Sequence, residues 1–390
     1  MRTLFVIAIT MMLSASTQAQ VKPSPVPYFT FGKGLGIIAP DSTFSLNLRF
    51  RIQNRFAFKT ESGTDLNISE VEARVRRMRL RFDGFVHSPK LTYVLQLSFS
   101  RGDMDYESLN FPNVIRDAYV QYAVSKQLAV GLGQTKLPGN RQRVNSSGDL
   151  QLADRSIVNS TFNIDRDFGA QFIYKTSFYV LRGAISSGEG RNITSSDKGL
   201  AYTGRFELLP FGAFTNGGDY FEGDLVRESK PKLSIGFVSS FNENAARTAG
   251  QLGTYLYEGR DIKTNMVDAL FKYKGFSLAG EYILRETNNP ITTNEDGDER
   301  YVYTGEGQNY QGGYVFKNNV EVVGRYSSVI PTQAILSKEK YKEEYTLGIN
   351  KYIKGHRVKL QGDITLQSSY RPQSRVDHAW MCRFQIEAGI

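Results

Sequence analysis

FSLNLRFRIQNR at 44–55 and EARVRRMRLRFD at 72–83 decide how this chain folds. In the first stretch Phe44, Leu46, Leu48, Phe50 and Ile52 fall on even positions. Ser45, Asn47, Arg49, Arg51 and Gln53 fall on odd ones, and Arg55 follows. A period of two belongs to a β-strand with one apolar and one polar face. In the second stretch Met78, Leu80 and Phe82 share one face, and Arg77, Arg79 and Arg81 the other. Between Val75 and Met78 the phase slips by one, as a β-bulge at Arg76/Arg77 produces. Two neighbouring strands thus offer Arg49, Arg51, Arg55, Arg77, Arg79 and Arg81 to one side of a sheet.

What that side faces follows from its cost. An arginine near the bilayer midplane on a lipid-facing strand costs about 2–4 kcal/mol, so six would cost roughly 12–24 kcal/mol. A typical protein is stable by only ~5–15 kcal/mol. If the sheet lies in a membrane, its apolar face meets lipid or a subunit and its arginines meet water.

Composition agrees with a membrane barrel. The 390 residues hold 25 Phe, 22 Tyr and 36 Gly, and a single cysteine, Cys382, so no internal disulfide is available. Residues 1–19 read as a signal peptide cleaved after Ala19: Met1-Arg2-Thr3, an apolar run from Leu4 to Ala15, then Ser16 to Ala19. That run is about twelve residues, short of the ~20 that span a bilayer as a helix. Removing Arg2 from 48 basic residues leaves 47 against 39 acidic ones, a mature net charge of +8. No later apolar run is long enough for a transmembrane helix. A barrel needs none, because its strands alternate lipid-facing and lumen-facing residues.

Residues 20–43 are rich in Pro and Gly and read as an irregular periplasmic segment; residues 44–390 read as one all-β domain. Sixteen strands are expected there, from 44–58 and 70–86 to 358–367 and 378–389, joined by alternately short and long connections. Within this rhythm 233–241 and 264–273 are strands, 242–263 is a long loop, and Pro210–Lys232 is the one long connection on the short-turn side. An even strand count, short periplasmic turns and long external loops describe a transmembrane antiparallel β-barrel of the outer membrane of a Gram-negative bacterium. A soluble β-sandwich or jelly roll is the alternative, but such domains are usually far smaller.

The third external loop, TKLPGNRQRVNSSGDLQLADRSIVNSTFNID at 135–165, is the longest connection. It is expected to fold inward and narrow the pore, with Lys136, Arg141, Arg143 and Arg155 as its basic residues. Asp149, Asp154 and Asp165 reduce its net charge to +1. Charge rings of this kind set pore selectivity. Guanidinium forks on the wall suit phosphate or carboxylate. The competing reading pairs the wall arginines with acidic loops and leaves a general, unselective pore.

At these residues the sequence resembles the phosphate-selective porin O and P family. The similar pieces are FSLNLRFRIQNR; VRRMRLRFDG; RDAYVQYAV followed by VGLGQTKLP; and LADRS followed by DRDFGAQ. The resemblance covers about Gly32 to Gln171, and RFELLPFG at 205–212 adds a further piece. It implies a sixteen-stranded barrel, commonly trimeric, whose arginine wall corresponds to Arg49, Arg51, Arg76, Arg77, Arg79 and Arg81. It also implies a filter loop from Lys136 onward. The chain departs from the family pattern at Leu137-Pro138-Gly139-Asn140.

Other chemistries find little support. His87, His356 and His378 are the only histidines, and no Gly-x-Ser-x-Gly elbow accompanies them, so no enzyme is expected. One Cys and three scattered His make no metal site. Asn294 to Glu299 lacks the spacing of a calcium loop. No nucleic-acid module and no cofactor motif is present. The expected partners are small anions, phosphate above all, with membrane lipid, lipopolysaccharide and a possible homotrimer. A plugged structural or adhesive barrel is the remaining class.

Overall fold

The structure, a computed structural model, describes residues 28–32, 34–104, 112–193 and 199–390. The expected signal peptide lies outside the described residues. An N-terminal pair, β1 (Tyr28–Gly32) and β2 (Gly34–Ile38), leads into β3 (Phe44–Thr60), β4 (Ile68–Val86) and β5 (Ser88–Ser98). β6 (Ile115–Ala123), β7 (Leu128–Lys136), β8 (Arg166–Lys175), β9 (Tyr179–Ser186) and β10 (Ala201–Leu208) follow. Next come β11 (Lys232–Arg247), β12 (Tyr255–Tyr273), β13 (Phe276–Glu286) and a small hairpin, β14 (Ile291–Thr293) and β15 (Glu299–Tyr301). The chain ends with β16 (Gly305–Val315), β17 (Val320–Pro331), β18 (Tyr341–Tyr352), β19 (Val358–Tyr370) and β20 (Asp377–Gly389).

From β3 onward each long strand pairs antiparallel with the next, β13 pairing directly with β16. β20 returns to β3, from Met381↔Lys59 to Gly389↔Arg51. The result is a closed barrel of sixteen strands. Closure leaves no ladder edge open, which is what a sheet in lipid requires. Tight turns alternate with long loops. At the β12–β13 turn, Lys274 and Gly275 both have positive φ (49° and 98°), the backbone of a two-residue turn that matches strand twist.

The β3–β4 ladder shows the expected bulge. Gln53 pairs with Arg77, but Asn54 pairs with Val75, so Arg76 is the extra residue. Buried and exposed positions alternate in the middle of both strands, at 53–57 and 77–79. Phe50, Phe56, Val75 and Met78 are exposed, while Gln53, Arg55, Arg77 and Arg79 are buried. In a closed barrel the face buried by loops and far strands is the inner one, so the apolar face looks outward.

Two expectations change. Part of the 20–43 segment is not irregular: β1 pairs with β2, and β2 pairs with β3 from Leu35↔Leu48 to Ile38↔Ser45. That pairing extends the β3 seam beyond the last residue of β20. The Pro/Gly content that suggested irregularity lies mostly before Tyr28 and at the tight Gly32–Gly34 turn. Much of 242–263 is strand as well, since β11 runs to Arg247 and β12 starts at Tyr255. Nineteen residues of β12 are far more than the roughly 9–11 needed to cross a bilayer. Beyond lipid the ladder continues with polar residues on both faces, which a search for alternation misses.

The bulge yields a direct test. Deleting one of the adjacent arginines at 76–77 removes the extra residue and keeps the alternation, so that variant should still run as a compact, heat-modifiable species in an unboiled gel. Deleting Leu80 forces an arginine onto the apolar face, at about 2–4 kcal/mol each, or a second bulge. That variant should lose most of the compact band. Equal behaviour of the two would refute the register.

Candidate functional site

The register of β3 and β4 sets arginine against arginine. Arg49 stands opposite Arg81, Arg51 opposite Arg79, and Gln53 opposite Arg77. Like charges directly across a ladder repel, so each needs a partner nearby. Arg49 Nε and Arg81 Nε both donate to Asp83 Oδ1, at 3.1 and 3.0 Å. Arg51 donates to Ser146 Oγ at 3.0 Å and Ser147 Oγ at 2.7 Å, and its Nε lies 3.6 Å from Glu387. Arg55 pairs with Asp154 and donates to the Ala153 carbonyl at 2.9 Å. Arg79 pairs with Asp103 and donates to Ser147 Oγ at 3.0 Å. Arg77 donates to Gln53 Oε1 at 2.8 Å, and the bulge lets Arg76 reach Asp154 at 3.2 Å.

Half of these partners, Ser146, Ser147, Ala153 and Asp154, belong to the 137–165 connection. Two short helices form in it, α1 (Arg141–Val144) and α2 (Ile157–Phe162). Ser156 caps α2 by accepting from Asn159 N at 3.1 Å. Leu137, Val158, Phe162 and Ile164 pack with Ala184, Val238, Met266, Ile283 and Val329 of β9, β11, β12, β13 and β17. Polar ties reach further round the wall. Lys359 Nζ donates to the Leu150 carbonyl at 2.7 Å, Arg325 to the Asp154 carbonyl at 2.8 Å, and Arg285 to the Phe162 carbonyl at 2.9 Å. Gly148 fits against the wall because it has no side chain; a Cβ there would lie 2.1 Å from Arg51 Nη1.

One cavity of about 160 Å³ collects the charge. It is lined by Arg76, Arg77 and Arg79 of β4, Arg116 of β6, Lys136, Arg143 and Arg155 of the connection, Arg166 of β8, and Arg191. Two carboxylates, Asp103 and Asp165, also line it. Nine cations line it against two anions, and although Asp154 and Asp117 pair with Arg76 and Arg166 from outside the lining, a positive excess remains. Arg143 Nε donates to Asp165 Oδ1 at 2.8 Å and Arg116 approaches Asp103 at 3.2 Å. Burial works against the Asp165 charge, but Arg143, Arg166 and Arg116 hold its carboxyl well below the usual range. The Nε atoms of Arg76, Arg77 and Arg116 are buried without a hydrogen-bond partner. Such donors suit an anion that accepts several N–H groups at once.

Of the expected residues, Arg77, Arg79, Lys136, Arg143 and Arg155 meet at this cavity, whereas Arg49, Arg51, Arg55 and Arg81 lie outside its lining. Arg141 points elsewhere: it donates to Asp268 at 2.6 Å and Ser234 Oγ at 2.8 Å. Lys136 Nζ and Arg155 both donate to the Asn145 carbonyl, at 3.0 and 2.9 Å, which fixes them at the cavity edge. Sequence reading passed over Arg116, Arg166 and Arg191. Arg116 opens the quoted piece RDAYVQYAV and Arg166 stands second in DRDFGAQ; each sits with its following Asp among the first three residues of a strand, and that shared Arg-Asp was the available signal. Among the described residues no group of three or more His, Cys, Asp and Glu suits a metal ion.

Similar proteins share the architecture. The barrel resembles the outer membrane channel DcaP of Acinetobacter baumannii, with 12% identity over 89% of this chain and 97% of that one, TM-score 0.57. It also resembles an anion-selective porin from Comamonas acidovorans, with 13% identity over 89% and 100% of the two chains, TM-score 0.56. OmpT of Vibrio cholerae matches at 10% identity over 89% and 98%, TM-score 0.54, and was also solved in a trimer form. A comparison with curated protein sequences gives no match. The family model described as phosphate-selective porin O and P matches residues 46–378. The chain therefore belongs to that family and is an outer-membrane β-barrel porin of a Gram-negative bacterium.

Proposed function

We propose that the protein is a passive diffusion channel for small anions, phosphate foremost, which pass through without chemical conversion. The observation that carries this reading is the cavity with nine cationic side chains and two carboxylates. Like charges confined in a low-dielectric space repel, and a visiting anion relieves that repulsion while it fills unused N–H donors. In this reading the 137–165 connection lies across the lumen as the constriction, and Lys136, Arg143 and Arg155 form its basic rim. The family name and the anion-selective relative support the same direction. The exposed apolar wall suits outer-membrane lipid and, in part, neighbouring copies in a homotrimer.

A general, unselective pore is the second reading, and one observation favours it. Arg49, Arg51, Arg55 and Arg81 lie against Asp83, Glu387 and Asp154. Paired charges orient solutes without attracting one sign strongly.

The reversal potential across a planar bilayer in a KCl gradient separates the readings. An anion-selective value is expected, and a zero or cation-selective value ends the proposal. Phosphate titrated into chloride should reduce the current; no effect up to tens of millimolar would leave only the general pore. The variant R76Q/R77Q should lower the anion-to-cation permeability ratio by roughly two- to ten-fold, and R49Q/R81Q by much less. The reverse ranking would place the selective wall elsewhere.

Acidity gives a further check. Desolvation pushes the Asp149 carboxyl in the connection up to about 6, against the opposing charges of Arg51 and Lys359. Raising the pH through that value adds a negative charge near two wall cations. Anion preference should therefore fall between about pH 5 and 7, and D149N should flatten the change.

A further inference from the structure

The connection between β10 and β11 is the one long link on the short-turn side, and the porin reading leaves it without a task. It does not hang free. Phe214 is buried against Val180 of β9 and Leu270 of β12. Lys272 Nζ of β12 donates to the carbonyls of Gly218 and Phe221, at 2.7 Å each. Asp224 accepts from the backbone N–H of Gly275 in the β12–β13 turn at 2.7 Å. Each of these partners projects from the inner face or the adjoining rim of β9, β12 and β13.

The same segment meets the 137–165 connection, which enters from the opposite side. Glu222 N donates to the Asp149 carbonyl at 2.8 Å, and the Glu222 carboxylate accepts from Gln151 N at 2.9 Å. Gln311 Nε2 of β16 donates to that carboxylate at 3.0 Å, and Arg141 donates to the Asp219 carbonyl at 2.9 Å. One side chain thus holds two backbone segments and the β16 wall together. Glu222 is 8% exposed, so these bonds are shielded from bulk solvent, and each counts for more than at the surface.

A cavity of about 30 Å³ remains beside Glu222 and Asp268, and larger open space lies on the other side. The arginine cavity shares Lys136 with a second cavity of about 200 Å³ that is lined by β6, β7, β8 and Arg182 of β9. Arg182 stacks on Tyr220 of the β10–β11 connection, with its guanidinium carbon 4.6 Å from the ring centre. The segment therefore also forms a support beneath the second cavity.

We infer that residues 209–231 are a second pore insert. It closes the β11–β19 half of the barrel from the periplasmic side and confines solutes to the path past the arginine cavity, Lys136 and Arg182. Glu222 is its positioning residue, locking the two inserts to each other. The inference rests on the channel reading above and adds the route that solutes take.

Single-channel recording of the full-length protein tests it. Replacing residues 211–232 by Asn-Gly should raise conductance roughly two-fold or more and weaken selectivity, because the shut half opens. Conductance equal to the parent's, in a variant that shows the compact band on an unboiled gel, overturns the inference. Should that variant not fold, E222A and E222Q decide. Both should add open-channel noise and substates at unchanged barrel stability, and quiet parental traces from both overturn the inference. The parent's reversal potential is read separately. An unselective parent that widens keeps the insert and removes the anion reading, whereas a selective parent that does not widen removes the insert alone.

Discussion

Arg51 and Arg79 stand face to face across two hydrogen-bonded strands, and the interior is arranged around making that tolerable. Neither can turn outward, because the neighbouring Phe50 and Leu80 own the apolar face. Repulsion across the ladder has to be met by acceptors from outside the sheet. Ser146, Ser147 and Asp103 provide them, and two of those three belong to one connection. The wall thus selects the conformation of the segment that rests on it. What it does not neutralise remains as the positive field of the cavity.

The interior is also divided chemically. On the β9, β11, β12, β13 and β17 side, Ala184, Val238, Met266, Ile283 and Val329 form one apolar cluster with Phe162 and Val158 of the connection. On the β4, β6 and β8 side the lining is basic. An apolar inner wall is a poor surface for a water-filled pore but a good seat for a buried segment, since burying it removes hydrocarbon from water. Position along the barrel circumference therefore decides whether a strand contributes apolar packing or basic charge to these contacts.

How much of this could be read from the chain depends on range. The strands of the wall and the bulge at Arg76 are local properties of alternation, and both were legible. The β1–β2 pair and the extended parts of β11 and β12 were not, because tight Gly turns and polar ladders outside lipid lose the period-two pattern. The site was only half legible. Arg141 and Arg143 are two residues apart on α1, a spacing that sends side chains in different directions, so one reaches Asp268 and the other Asp165. Arg141 is drawn away from the cavity by Asp268, 127 residues distant in sequence, where no local pattern reports. The link from 209 to 231 was visible as an anomaly of length, but its partners, Gln151 and Gln311 among them, were not.

The seam between the first and last barrel strands bears on how the molecule comes to exist. Lys59 meets Met381, so the ring cannot close until nearly the whole chain is present. The 137–165 connection is tied in turn to Lys359 and Asp363 of β19. Both the wall and its contents thus depend on pairings of the greatest sequence separation available, which are slow to form because loop closure precedes any gain. A chain arrested before β19 would carry a sheet with two open edges and an unheld loop of exposed Leu and Phe, an aggregation-prone state. Assembly of this barrel is therefore a late, concerted event governed by its C-terminal strands.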